Sequence, residues 1–266
     1  MAIDDDADVG DGELRSTNEP RTGIIGGRTF LMKTVQYSDI GGDAIFEGDI
    51  VLGTVKEMDE AYQKIAESED VQTTLKAVFR SGSQFRWPGG VIPFRIDPAL
   101  PDANRVKEAI AHWESRTPIR FVARTNEASF VTFRRSANGC SSEIGRQGRE
   151  QFVNLGDSCT KGNVIHEIGH TVGLWHEQSR EDRKNFITID LTNIIPGKEH
   201  NFNQHITDGD DVGPYDYGSI MHYSAFAFAL NTAKPTIITP HGEAIGQREG
   251  LSDGDVAAVK SVYEFA

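Results

Sequence analysis

Eleven consecutive residues, His166-Glu167-Ile168-Gly169-His170-Thr171-Val172-Gly173-Leu174-Trp175-His176, could hold a metal ion and a general base together. A helix brings residues four apart onto one face, so His166 and His170 can grip one ion side by side. Glu167, next to the first of them, can reach a water on that ion. Gly173 follows three residues after His170, and glycine tolerates the left-handed backbone that stops a helix and turns the chain. The turn lets His176 return to the same ion, which a continuing helix would carry away. Three imidazoles suit Zn2+, and three protein ligands leave one position for water, the arrangement of a catalytic site. A structural site would close that position with Cys or His, and neither stands nearby. The alternative is three histidines and an ordinary glutamate on a solvated helix. The added glycine and third histidine at fixed spacing argue against it.

The run requires a helix that begins before His166 and stops at Gly173, so a helix over 161–174 is expected. Behind Asp102, read as an N-cap, Val106, Ala109, Ile110 and Trp113 share one helical face. Residues 119–124, 129–134 and 151–155 read as strands. After Gly173 few periodic segments appear until Ser252, an N-cap for a final helix that buries Val256, Val259 and Val262 or Tyr263. The expected fold class is α+β and two-lobed. A mixed sheet and the metal-bearing helix make the first lobe, an irregular chain with a terminal helix makes the second, and a cleft lies between them.

The charge is unevenly spread. Residues 1–77 hold 17 of the 40 Asp and Glu but 7 of the 27 Lys and Arg, which puts −10 of the net −13 there. The rest is nearly neutral, and the balance excludes nucleic acid as a partner. Residues 1–20, rich in aspartate, are expected to be disordered. Met58, Ala61, Tyr62, Ile65 and Leu75 suggest a helical stretch within 57–79. No apolar run is long enough to span a membrane, and no apolar signal region follows Met1.

Beyond the third histidine the chain resembles the astacin family of zinc endopeptidases. The resemblance rests on His176-Glu177-Gln178-Ser179-Arg180-Glu181-Asp182-Arg183, Ser219-Ile220-Met221-His222-Tyr223, Trp87-Pro88-Gly89-Gly90-Val91-Ile92-Pro93-Phe94 and Ile119-Arg120-Phe121-Val122. It implies a metzincin fold over 78–266, with Met221 forming the turn beneath the zinc. Tyr223 is implied as a switchable zinc ligand that helps stabilise the oxyanion. Glu177 is implied as a buried carboxylate that meets the new N-terminus after activation. Phe46-Glu47-Gly48-Asp49 is similar to the family's propeptide motif, whose aspartate replaces the catalytic water; a tight turn is the alternative reading. Residues 1–77 would then be an acidic inhibitory propeptide, with the mature end near Ala77 or Val78. Lys76, Arg80 and Arg86 would suit a trypsin-like activating protease. Cys140 and Cys159 match the family's shorter internal disulfide; two reduced thiols are the alternative.

The implied function is a secreted, monomeric endopeptidase made as a precursor, acting on peptides or proteins. Glu167 would take a proton from the zinc-bound water and return it to the leaving amine. A zinc-binding module that has lost catalysis is the competing reading. The presence of both Glu167 and Tyr223 speaks against it.

Overall fold

The computed structural model of the protein describes residues 8–9, 14–25, 33–67, 85–204 and 211–263. The strands are β1 (Asp8–Val9), β2 (Leu14–Arg15), β3 (Arg21–Ile25), β4 (Lys33–Ile40), β5 (Asp43–Phe46), β6 (Ile50–Thr54), β7 (Val91–Ile96), β8 (Arg120–Ala123), β9 (Phe130–Arg135), β10 (Ser141–Glu143), β11 (Glu150–Leu155), β12 (Thr188–Ile189) and β13 (Ile237–Ile238). The helices are α1 (Val55–Glu67), α2 (Asn104–Arg116), α3 (Lys161–Val172) and α4 (Asp253–Tyr263). Nine strands form one sheet in the order β3-β4-β5-β6-β10-β11-β9-β7-β8.

Strands β3 to β6 and helix α1 are contiguous in sequence and form the N-terminal unit, at one end of this sheet. Gly41 and Gly42, at φ +62° and +90°, make the two-residue turn between β4 and β5. Positive φ at both positions matches a hairpin turn whose twist suits the flanking strands. The Val35, Tyr37, Ala44, Phe46, Ile50, Leu52, Val55 and Met58 side chains form one apolar cluster, with Ile144 and Trp175 of the later chain against it. The unit joins the rest by edge addition: β6 pairs in parallel with β10, Ile50 opposite Ser142 and Val51 opposite Glu143.

This differs from the sequence expectation in two respects. The strands at 21–54 were not anticipated, although Gly-Gly between runs of alternating polarity is a hairpin signal. Leu14 and Ser16 are buried rather than disordered. Ser16 is held through its carbonyl by Lys198 Nζ and through its hydroxyl by Asn201 Nδ2 at 3.0 Å. The expected helix exists as α1, while its continuation past Glu67 and the boundary at 77/78 lie outside the described residues.

The strands expected at 119–124, 129–134 and 151–155 are β8, β9 and β11. Asp102 does not cap α2. It sits at φ +49°, and the helix begins at Asn104 without a side-chain cap. Asp97 takes the local turn instead, accepting from Ala99 N at 2.8 Å and, through its carbonyl, from Leu100 N at 2.9 Å. The buried face of α2 is as expected, with Val106, Ala109, Ile110 and Trp113 turned inward.

That face fixes α3. Trp113 Nε1 donates to Ile165 O at 3.0 Å, and Trp87 Nε1 donates to Thr171 O at 2.9 Å. Both indoles are buried, so each carries a large apolar area and a satisfied N–H against one helix. Trp113→Ala will lower stability by about 3–5 kcal/mol, read by urea unfolding of the whole chain. The Cys140–Cys159 disulfide ties the approach to β10 to the start of α3, and its loop corresponds to about 3 kcal/mol in the chain-entropy model.

Past Gly173 the chain is irregular until α4, as expected. Short 3-10 turns and the two-residue pair β12–β13 enclose a second core of Ile187, Ile194, Phe202, Tyr215, Tyr223, Phe228 and Ile237.

Candidate metal centre

The ends of α3 are set locally. Thr160 Oγ1 accepts from Asn163 N, and Asn163 Oδ1 accepts from Thr160 N at 2.8 Å, a reciprocal cap. At the other end Gly173 adopts φ +116°. Its N–H reaches His170 O at 2.8 Å and Leu174 N reaches Gly169 O at 2.9 Å, a Schellman closure. The closure delivers Leu174 O to His170 Nδ1 at 2.8 Å.

Close packing holds α3 in place. A Cβ on Gly162 would run into the carbonyl oxygen of Arg248, and one on Gly169 would lie 2.5 Å from Met221 Sδ. Gly162→Ala will therefore destabilise the protein although alanine is the better helix former by about 1 kcal/mol. A lowered melting temperature checks this, and a raised one would contradict the contact.

His166, His170 and His176 converge with Asp49, all four buried. Asp49 Oδ2 lies 3.2 Å from His166 Nε2, and Oδ1 lies 3.6 Å from His170 Nε2 and 3.2 Å from His176 Nε2. Each Nδ1 has an acceptor: Ile220 O at 2.8 Å for His166, Leu174 O at 2.8 Å for His170, and Glu47 Oε2 at 2.9 Å for His176. With the Nδ1 protons donated outward, the Nε2 lone pairs face a carboxylate, an arrangement that suits a cation between them. The separations also fit one, because the edge of a tetrahedron with bonds of ~2.0–2.1 Å is about 3.4 Å. The donor set of three imidazoles and one carboxylate suits zinc.

The electrostatics point the same way. Burial pushes His170 down to about 4, toward its neutral form. Burial also opposes charge on His176, but Asp49 and Glu47 outweigh it and raise that group to about 9. Burial opposes the charge of Asp49 as well, yet the three imidazoles hold its carboxyl well below the usual range. Two buried carboxylates thus call for positive charge at this centre.

The other expected residues surround it. Glu167 is buried on α3, and its carbonyl accepts from Ser142 Oγ at 2.9 Å. Tyr223 places its ring 4.7 Å from that of His176, with its hydroxyl donating to Glu47 O. Met221 packs under α3 against Gly169. Glu177 meets Arg180, whose Nε lies 3.7 Å from its Oε1. Its Oε1 accepts from Asp216 N at 2.8 Å, and burial raises its pKa to about 7. It borders a cavity of about 310 Å³ with Trp175, Asp216, Met221 and Asp255. His222 lies outside this cluster; its Nε2 meets Tyr215 Oη at 2.7 Å.

Sequence reasoning missed three supporting residues. Gln178 Oε1 accepts from Tyr223 N at 3.0 Å. Asp255 accepts from Ser219 Oγ at 2.6 Å and Ile220 N at 3.0 Å while closing the cap of α4 with Ser252. Ser252 with Asp255 three residues on is a capping box and could have been found. Glu47 bridges His176 Nδ1 and Ser179 Oγ, the latter at 2.7 Å, and nothing local in the sequence signals it.

Residues 79–264 match the family model described as Astacin, a family of peptidases. Tolloid-like protein 1 of Homo sapiens is 40% identical over 188 residues, 66% of this chain and 19% of that protein. Zinc metalloproteinase nas-36 of Caenorhabditis elegans is 37% identical over 228 residues, 82% of this chain and 36% of that protein. The chain thus spans about a fifth to a third of the length of these curated relatives. Among solved structures, High choriolytic enzyme 1, a hatching enzyme zinc-protease from Oryzias latipes, is 34% identical with a TM-score of 0.62, over 70% of this chain and 94% of that one. With the three-histidine centre, its methionine underlay and this match over most of the sequence, the chain belongs to the astacin family of zinc endopeptidases.

Proposed function

We propose that the chain is the precursor of a secreted, monomeric zinc endopeptidase, with residues 1–77 as an inhibitory propeptide and residues 78–266 as the peptidase domain. The observation that carries this reading is Asp49, delivered by the β5–β6 turn into the fourth direction of a three-histidine site. A match covering 82% of the chain also needs residues before 79, which supports a shared N-terminal segment.

In this reading an activating protease cuts near residue 77 and the N-terminal unit departs. Strand β10 then becomes the sheet edge beside the histidines. Its Ser142 N–H, which donates to Asp49 O at 3.0 Å before the cut, becomes free for an extended peptide substrate. Zinc bound here supplies a water with its pKa lowered toward about 7 and polarises the scissile carbonyl. Glu167 accepts the proton of the attacking water and returns it to the leaving nitrogen. The Tyr223 hydroxyl, released from Glu47 O, turns toward the developing oxyanion. The new N-terminus enters the cavity beside Glu177, whose lining of three carboxylates suits an ammonium group. Among the described residues no helix is long and apolar enough to cross a membrane, which is compatible with secretion.

Hydrolysis of a quenched peptide library by the intact and the processed chain tests the reading. The processed chain will cleave, a chelator will stop it, and added zinc will restore it. A zinc-loaded processed chain that cleaves nothing would instead favour a zinc-binding interaction module.

A further inference from the structure

The three metal-facing histidines are not supported alike. His166 and His170 give their Nδ1 protons to main-chain carbonyls, Ile220 O and Leu174 O, both within the peptidase part. His176 gives its proton to a carboxylate, Glu47 Oε2, and that carboxylate belongs to the N-terminal unit. Glu47 is fully buried at φ +48°, in the same turn as Asp49. Its other oxygen is fixed by Ser179 Oγ at 2.7 Å, and its carbonyl accepts from Tyr223 Oη. A turn that only needed to present Asp49 would not require a second buried carboxylate with both oxygens engaged.

A carboxylate on the far nitrogen of a ligating imidazole fixes the ring and raises the basicity of the nitrogen that faces the metal. A carbonyl at the same place does so more weakly because it carries no net charge. We propose that Glu47 is a positioning residue of the metal centre, through which the N-terminal unit retains zinc as well as blocking the site. The inference rests on the reading that the turn at 46–49 leaves on activation. It adds that the ion is held more tightly before that event than after it. Departure of the turn takes away Asp49 as a ligand, removes the acceptor of His176 and releases the Tyr223 hydroxyl in one motion. The precursor is thus the form that acquires and keeps the metal.

Release of zinc from the metal-loaded full chain to an excess of a chromogenic chelator tests this without any turnover. Glu47→Gln preserves shape and removes charge, and will release zinc about 10–100-fold faster than the wild-type full chain. After proteolytic removal of the N-terminal unit the two proteins will release zinc at the same rate. Equal rates in the full chains, or a difference that survives processing, overturn the proposal. Should Glu47→Gln fail to fold, Asp49→Ala keeps the Glu47–His176 contact and gives a second measurement. Its full chain will release zinc more slowly than the processed protein, and release as fast as the processed protein overturns the proposal. Peptide hydrolysis by Asp49→Ala judges the inhibitory role separately, so the one can fail while the other stands.

Discussion

Zinc-loaded Glu167→Gln, freed of the N-terminal unit, will cleave peptides about 10²–10⁴-fold more slowly than the wild-type protein while keeping its ion. Glu167 follows His166 on α3 and is fully buried. The exchange removes proton affinity and almost no volume. Its backbone is held independently of the side chain, because Ser142 Oγ bonds its carbonyl and both helix ends are capped. The histidines should therefore remain where they are, and metal content measured alongside kcat/KM separates lost chemistry from lost zinc. A rate within about tenfold of wild type would mean that another group moves the proton, since general base catalysis contributes more than that.

Asp49→Ala in the uncut chain will raise cleavage of short peptides by about tenfold or more, a factor that needs only ~1.4 kcal/mol of lost occupancy at the blocked position. The gain will stay below that of the processed protein. Removing one side chain opens the fourth direction at the histidines, but the turn remains attached through Glu47 to His176, Ser179 and Tyr223. Strand β6 still covers β10, and Phe46 still meets Trp175 edge-on at 6.2 Å. Large protein substrates, which need the whole edge, will gain least. Comparing a short and a long substrate across the three forms checks this ordering. An Asp49→Ala chain as inert as the intact one would place the block in β6 rather than in the aspartate.

How much was legible in the sequence depended on how local the cause was. The three histidines, Glu167 and the stop at Gly173 lie in eleven residues, and their geometry follows from helix periodicity and one glycine. The terminal helix announced itself because Ser252 stands before it as an N-cap and Val259 and Tyr263 repeat at helical spacing on its buried face. Asp102 misled because Asp97 had already taken the turn before α2, leaving a capping residue in the wrong conformation. Leu14 and Ser16 gave no sign of burial, since their partners are Lys198, Asn201 and Phe228 far along the chain. Glu47 was hidden for the same reason: its partners lie at 176, 179 and 223, and a buried glutamate in an acidic segment looks like one more solvated charge.

The parallel junction between β6 and β10 also sets an order of events during synthesis. Strands β3 to β6 are neighbours both in sequence and in the sheet, and all four are synthesised before residue 141. Local contacts form early, whereas the centre that joins residue 49 to residues 166–176 has the long sequence separations that slow folding. Until β10 emerges, β6 is an open edge with unpaired main-chain groups, the kind of surface that recruits stray strands. The nascent chain closes that edge with its own later strand, β10, which pairs in parallel with β6.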